Sequence, residues 1–182
     1  MDDPLTLPIR VRKAERPDAH TIADFNARMA LETEGRELDA RRLFSGTLAV
    51  FGGPERGFYV VAERVGAVVG CLLVTREWSD WRNGWFWWIQ SVYVVPSARR
   101  AGIYRAMYRW LETQARENGP LCEGASIVGL RLYVERANVN AMATYEALGM
   151  RRAHYQLFEV DFVLGPEAGS ASVNPSSKTL LS

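Results

Sequence analysis

The chain has little of what metal centres and disulfide frameworks are made from. It holds two cysteines and two histidines in 182 residues. They are scattered without ligand spacing, so no metal site is expected. Cys71 lies in an apolar run and Cys122 in a loop-like stretch, which argues against a structural disulfide. An excess of one charge is also missing. The formal net charge is +1, which gives nucleic-acid binding no support. No apolar run approaches the roughly 18–20 residues of a membrane span. The opening MDDPLTLPIR is acidic and carries two prolines, without the basic and apolar regions of a signal peptide. These absences lead to the expectation of a cytoplasmic protein with no membrane and no nucleic-acid partner.

What is present suits one folded domain. The composition is 48% hydrophobic and 24% charged, and the length is enough for a single core. Ile9–Ala14 alternates apolar and basic residues, a strand pattern. Pro17 and Asp18 open a helix that carries Ile22, Phe25 and Met29 at helical spacing and ends at Gly35. Asp39 suits the N-cap of a second helix, stopped by Gly52-Gly53-Pro54. Phe58–Ala62 and Ala67–Thr75 predict a hairpin. Asn83-Gly84 marks another turn before a long apolar strand, Trp85–Val95. Ile103–Arg116 shows an amphipathic stripe, Ile127–Val134 a strand, Asn138–Leu148 a short helix ended by Gly149, and Tyr155–Val163 a last strand. The order β-α-α-β-β-β-α-β-α-β predicts an α/β (α+β) fold, a mixed sheet with helices on its faces, as one domain over residues 1–164. The Gly/Ser/Pro-rich tail 165–182 reads as disordered.

The stretch Gln90–Trp110, QSVYVVPSARRAGIYRAMYRW, carries the most chemistry. A buried strand feeds a glycine-containing turn, and the turn feeds a helix. The first amides of a helix lack intrahelical acceptors and, with the helix dipole, attract an anion. Gly102 allows the backbone to approach a ligand closely. Five arginines and one glutamate lie between Arg99 and Arg116, a local charge of +4 in a chain that totals +1. A pyrophosphate or 3′-phosphate suits that concentration, though a plain basic helix face fits it as well. The spacings of a Walker loop and of a dinucleotide fingerprint are both absent.

This stretch resembles the acyl-coenzyme A motif of the GNAT superfamily, Q/R-x-x-G-x-G/A, with Arg99 at the first position and Gly102 at the central glycine. Asn138–Met150, NVNAMATYEALGM, is similar to a second signature of that family, N-x-x-A-x-x-x-Y-x-x-x-G-F, through Asn138, Ala141, Tyr145 and Gly149. Two motifs at the right separation, in the right order of elements, extend the resemblance from about Ile9 to Val163. It implies a GNAT-like acyl-CoA N-acyltransferase fold and acetyl-CoA as co-substrate. It implies that Val92, Tyr93 and Val94 hold the pantetheine arm by their backbone. The amides of Arg99, Arg100, Ala101, Gly102, Ile103, Tyr104 and Arg105 would take the pyrophosphate, and Asn138 would line the cofactor. Tyr104 departs from the usual Gly or Ala, and its side chain is expected to narrow the site near the phosphates.

The resemblance also implies that Tyr145 protonates the leaving thiolate, a role open to a tyrosine because its ordinary pKa of about 10 keeps it protonated at neutral pH. A lysine-like acceptor must lose a proton before it attacks. That costs about 4–5 kcal/mol at neutral pH, from a gap of roughly 3.4 pK units. Many members carry a glutamate near Gln90, and an amide is no base; Glu77 is the replacement candidate. Glu32 and Glu34 are placed to attract a cationic acceptor, a small-molecule or protein amine. Five of the six tryptophans lie between Trp78 and Trp88. Trp78 and Trp81 flank a turn, where they would wall the acceptor pocket, hold a cation, or pack in the core or against a homodimer partner. His154 is a lesser candidate for the same pocket. The rival expectation is a GNAT-like module that senses acyl-CoA without turnover, favoured by Tyr104 and Gln90.

Overall fold

The computed structural model describes residues 8–117, 126–136 and 138–164. The elements are β1 (Arg10–Lys13), α1 (Ala19–Glu34), α2 (Ala40–Gly52), β2 (Phe58–Arg64), β3 (Ala67–Ser79), β4 (Gly84–Val94), α3 (Ile103–Arg116), β5 (Ile127–Leu132) and α4 (Val139–Ala147). The five strands form one sheet in the order β1-β2-β3-β4-β5. Pairing is antiparallel throughout except between β4 and β5. The connections dictate this. Short turns join β2 to β3 and β3 to β4, whereas β5 is reached through α3, and a parallel pair needs such a crossover.

Local chemistry sets the element ends. Gly35 takes the left-handed conformation (φ 61°) after α1, and its amide reaches the carbonyls of Ala30 and Leu31. Asp39 caps α2 by accepting from the amide of Arg42 at 2.7 Å. Asn83 tolerates φ 47° in the turn before β4.

Strand alternation separates two apolar layers. On one face Val60, Leu72, Val74, Trp87 and Ile89 pack with Met107 and Leu111 of α3. On the other Tyr59, Val61, Cys71 and Tyr93 pack with Ile22 and Phe25 of α1. Burial pushes the Cys71 thiol up to about 12, which makes it an inert core residue. Cys122 lies outside the described residues, as do most of the loop read between α3 and β5 and the whole of the tail 165–182.

Two local irregularities prepare the site. Gly70 of β3 lies under the start of α3, where an added Cβ would meet Ile103 Cγ2 at 3.0 Å and the Tyr93 carbonyl oxygen at 3.1 Å. Glycine lets α3 seat closely on the sheet. In β4 the register shifts between Leu73↔Ser91 and Val74↔Ile89, which leaves Gln90 as the extra residue of a bulge.

One expected element is absent. Residues 151–164 form no strand, so Tyr155–Val163 is corrected to an irregular, exposed segment. A strand exists only through a partner's backbone, and none of the five described strands pairs with it. His154 lies exposed within this segment. Among the described residues no His, Cys, Asp and Glu group is suited to hold a metal, and no helix is long and apolar enough to cross a membrane.

Candidate active site

β4 and β5 pair in parallel from Trp85↔Ile127 to Ile89↔Leu132, and there the pairing stops. β4 runs on to Val94, held on one side by β3 and without a β5 partner on the other. The bulge at Gln90 coincides with the point of separation. The backbone of Val92–Val94 thus borders an opening between two parallel strands, a place where an extended ligand can pair with a strand edge.

The turn after β4 stands at the mouth of this opening. Arg100 (φ 63°) and Gly102 (φ 79°) are both left-handed, and no side chain caps α3. The first helical bond runs from Ala106 N to Gly102 O at 2.9 Å, so the amides from Gly102 to Arg105 precede the intrahelical ladder. Two arginines brace the turn. Arg64, buried in β2, donates to the Ala101 carbonyl at 3.3 Å. Arg99 donates through Nε to the Val94 carbonyl at 2.9 Å and ion-pairs with Glu32. Arg99 is therefore spent on holding the turn, through its side chain and through its amide, which donates to the Pro96 carbonyl at 3.3 Å.

Glu32 is not free to attract an acceptor. One oxygen accepts from Arg99 and the other from the Tyr93 hydroxyl at 2.8 Å. These bonds, the one from Arg99 foremost, hold its carboxyl below the usual range. Burial, and then the carboxylate itself, push the Tyr93 phenol up.

Tyr145 lies in α4 with its ring edge-on to Tyr104, centroids 5.5 Å apart at 67°. Burial raises its pKa, which keeps it protonated well past neutrality. The Tyr104 ring packs against the α3-side core, and its hydroxyl is buried without a hydrogen-bond partner among the described residues. The larger residue at the family's Gly/Ala position thus supports Tyr145. Asn138 caps α4, accepting from the Ala141 amide at 3.1 Å. Asparagine here starts the helix that carries Tyr145.

The opposite face of the sheet holds the other candidates. Gln90 donates to the Tyr133 hydroxyl at 2.7 Å, and Thr75 donates to Gln90 Oε1 at 3.4 Å. Glu77 pairs with Phe86 in register and shares this face with Thr75. It sits toward the β3–β4 turn, roughly 13 Å along the strand from Gln90. Its Oε1 accepts from Arg131 at 2.7 Å, while Oε2 is buried without a hydrogen-bond partner among the described residues. Arg131 lies 3.6 Å over the Phe86 ring. Glu34 and Glu159 both bear on the Tyr133 phenol, whose pKa is raised first by burial. Trp78 is not brought to this group. It pairs with Trp85, so strand alternation turns it to the other face, where the two rings meet edge-on at 4.9 Å. Trp81 is 87% exposed.

Tyr133, Arg131 and Arg64 were not anticipated. Gly129, Arg131 and Tyr133 stand at i, i+2 and i+4, which would have put the first two, and a continuing Tyr133, on one face of the strand. Nothing local in the sequence ties Arg64 to Ala101. A cavity of about 680 Å³ lies elsewhere, lined by Lys13, Phe51, Tyr59, Arg76 and Trp85 among others. None of its lining residues belongs to either motif, and the strand opening is the better candidate on chemistry.

A model of the acetyltransferase (GNAT) family matches residues 19–150. The chain belongs to that family. A possible acetyltransferase from Clostridium difficile 630 is 42% identical, with 85% of this chain and 98% of that one covered at a TM-score of 0.74. Two more distant structures share the fold. A ribosomal-protein-alanine N-acetyltransferase from Brucella melitensis biovar Abortus 2308 is 18% identical, at TM-score 0.66 over 85% of this chain and all (100%) of that one. An aminoglycoside N-acetyltransferase in complex with CoA is 9% identical, at TM-score 0.67 over 86% and 97%. No curated protein matches the chain. The GNAT family and the mixed sheet expected from the two motifs are therefore shown, and N-acetyltransferase activity fits them.

Proposed function

We propose that this GNAT protein is an acyl-CoA-dependent N-acyltransferase that moves an acetyl group from acetyl-CoA to a primary amine by direct attack. The observation that carries the reading is the coincidence of three features at one place. β4 and β5 part at the Gln90 bulge, the uncapped start of α3 faces the same end, and Tyr145 packs beside that start.

The pantetheine arm runs along the backbone of Val92–Val94 and the pyrophosphate sits on the amides of Arg100–Arg105, since the Arg99 amide is bonded to Pro96. The acceptor enters from the face of Gln90, Thr75 and Tyr133, with Glu34 drawing its positive charge. The neutral amine attacks the thioester carbonyl, a C–N bond forms, and the C–S bond breaks. Tyr145 gives its proton to the departing thiolate. Glu77, roughly 13 Å along the strand from Gln90, takes the proton of the amine through a chain of waters. Glu32 acts on the cofactor side, by holding Arg99. Dependence on acyl-CoA goes with a cytoplasmic location.

Acetyl-CoA at about 100 times its Kd should raise the melting temperature by about 5–10 °C, and no shift at millimolar concentration would overturn the cofactor assignment. Release of free thiol across a panel of amines then tests turnover. Gln90, an amide at the bulge, favours a second reading as an acyl-CoA-sensing module. Binding without thiol release on any amine would support it.

A further inference from the structure

One buried polar atom beside Tyr145 plays no part in the proposed transfer. Tyr104 is the second residue of α3, and its ring meets the Tyr145 ring edge-on, with centroids 5.5 Å apart at 67°. Its other ring neighbour is the buried Tyr108, at 6.2 Å and 42°. The ring packs on the α3-side core, yet the hydroxyl at its tip is buried without a hydrogen-bond partner among the described residues. A buried hydroxyl that bonds nothing costs stability, and phenylalanine would fill the same space without that cost. Packing therefore accounts for the ring and not for the oxygen. Such an orphan calls for a partner that appears during function.

We propose that the Tyr104 hydroxyl donates a hydrogen bond to the Tyr145 oxygen as Tyr145 gives up its proton, which makes Tyr104 a positioning residue for the general acid. The inference rests on the proposed role of Tyr145. In that step the C–S bond breaks, the Tyr145 O–H bond breaks, and an S–H bond forms on the departing thiolate. Tyr145 is left as a phenolate and recovers its proton from water after the products leave. Burial disfavours the charged form at Tyr145. A donor is worth most in that setting, because a hydrogen bond to a charged oxygen is about twice as strong as a neutral one. Tyr104 keeps its own proton throughout. Burial raises its pKa first, and negative charge on Tyr145 raises it further, so the two phenols lie within electrostatic reach of each other. The bond is absent in the free protein and forms as charge develops, so it stabilises the transition state rather than the ground state. A Gly or Ala at this position of the motif has no side chain with which to do so.

A double-mutant cycle on kcat tests the proposal. Tyr104→Phe should lower kcat about tenfold. The acyl-CoA Kd should stay unchanged, and the melting temperature should be equal or higher, by up to about 2–4 °C. In a Tyr145→Phe background the same change should leave kcat where it is, because no phenolate forms. A tyrosine needed only for packing or for holding the cofactor would slow both backgrounds alike. An unchanged kcat in Tyr104→Phe, an equal loss in both backgrounds, weaker acyl-CoA binding, or a lower melting temperature would overturn the proposal. If Tyr145→Phe alone keeps the parent kcat, the general-acid reading fails and this inference falls with it. If Tyr145→Phe is slow and Tyr104→Phe is not, only this inference fails.

Discussion

On its α3 side, the end of β4 meets a turn braced at fixed points. Arg64 holds Ala101, Arg99 bridges Val94 and Glu32, and Gly70 lets α3 settle onto the sheet. The α1 side, around Gln90, is assembled from single side chains of four elements. Thr75 and Glu77 come from β3, Gln90 from β4, Arg131 and Tyr133 from β5 and the residue after it, and Glu34 from α1. On the proposed function, the first region presents backbone groups to a ligand that is the same across a family, and the second presents side chains to an acceptor that differs between members. A backbone site needs rigidity and few residue types, whereas a side-chain site needs particular residues in particular places.

Five substitutions probe this contrast, in order from the largest expected effect to the smallest, with the last two read as a pair. Tyr145→Phe should lower kcat about 10²-fold with KM for acyl-CoA nearly unchanged, the signature of a lost general acid. Steady-state rates check it, and an unaltered kcat would remove Tyr145 from the mechanism. Because burial raises the Tyr145 pKa, the alkaline loss of kcat that depends on it should begin above the ordinary tyrosine value of about 10.

Gly102→Val places a β-branched residue at φ 79°, at a cost of about 1–3 kcal/mol. There is open space around the position, so strain rather than collision is the cause. Calorimetry should show acyl-CoA binding weakened about tenfold. Equal affinity in the variant would show that the turn need not keep its shape.

Glu32→Gln removes the charge that Arg99 leans on. Acyl-CoA affinity should fall about three- to five-fold, the scale of a partly exposed ion pair. The pH sense follows from the depressed carboxyl. The tie is complete above the ordinary carboxylate value of 4.5 and fades as pH falls through the lower folded value. The variant and the parent should therefore converge in acid, which binding measured down a pH series reads directly. A gap that persists in acid would assign Glu32 another role.

Trp78→Ala should change KM for the acceptor less than about two-fold, because the ring lies on the face away from Gln90. Gln90→Ala under the same assay should raise it several-fold. The reverse order would put the acceptor on the tryptophan side and dissolve the contrast.

Much of the fold was legible because periodicity reports burial. The amphipathic stripe of α3, the Asp39 cap and the Asn83-Gly84 turn are local devices and stand in the structure as the residues imply. The Tyr155–Val163 pattern is equally local, but a strand needs a partner that the pattern does not name. Glu32 shows the same limit at the site. Its charge and its helix-end position suggested an acceptor, and only the approach of Arg99 and Tyr93, 67 and 61 residues away, engages both of its oxygens.

By itself the sequence determined the family, the glycine turn before α3 and the tyrosine on α4. Each depends on a short run of residues whose spacing is set by helix and strand geometry. The tertiary structure decided where β4 and β5 part, that Gln90 is the residue of the bulge, and which acidic side chains remain open. It also turned Trp78 away and set Tyr104 against Tyr145. These are contacts between segments far apart in the chain, and their geometry comes from packing a whole sheet between helices rather than from any local pattern.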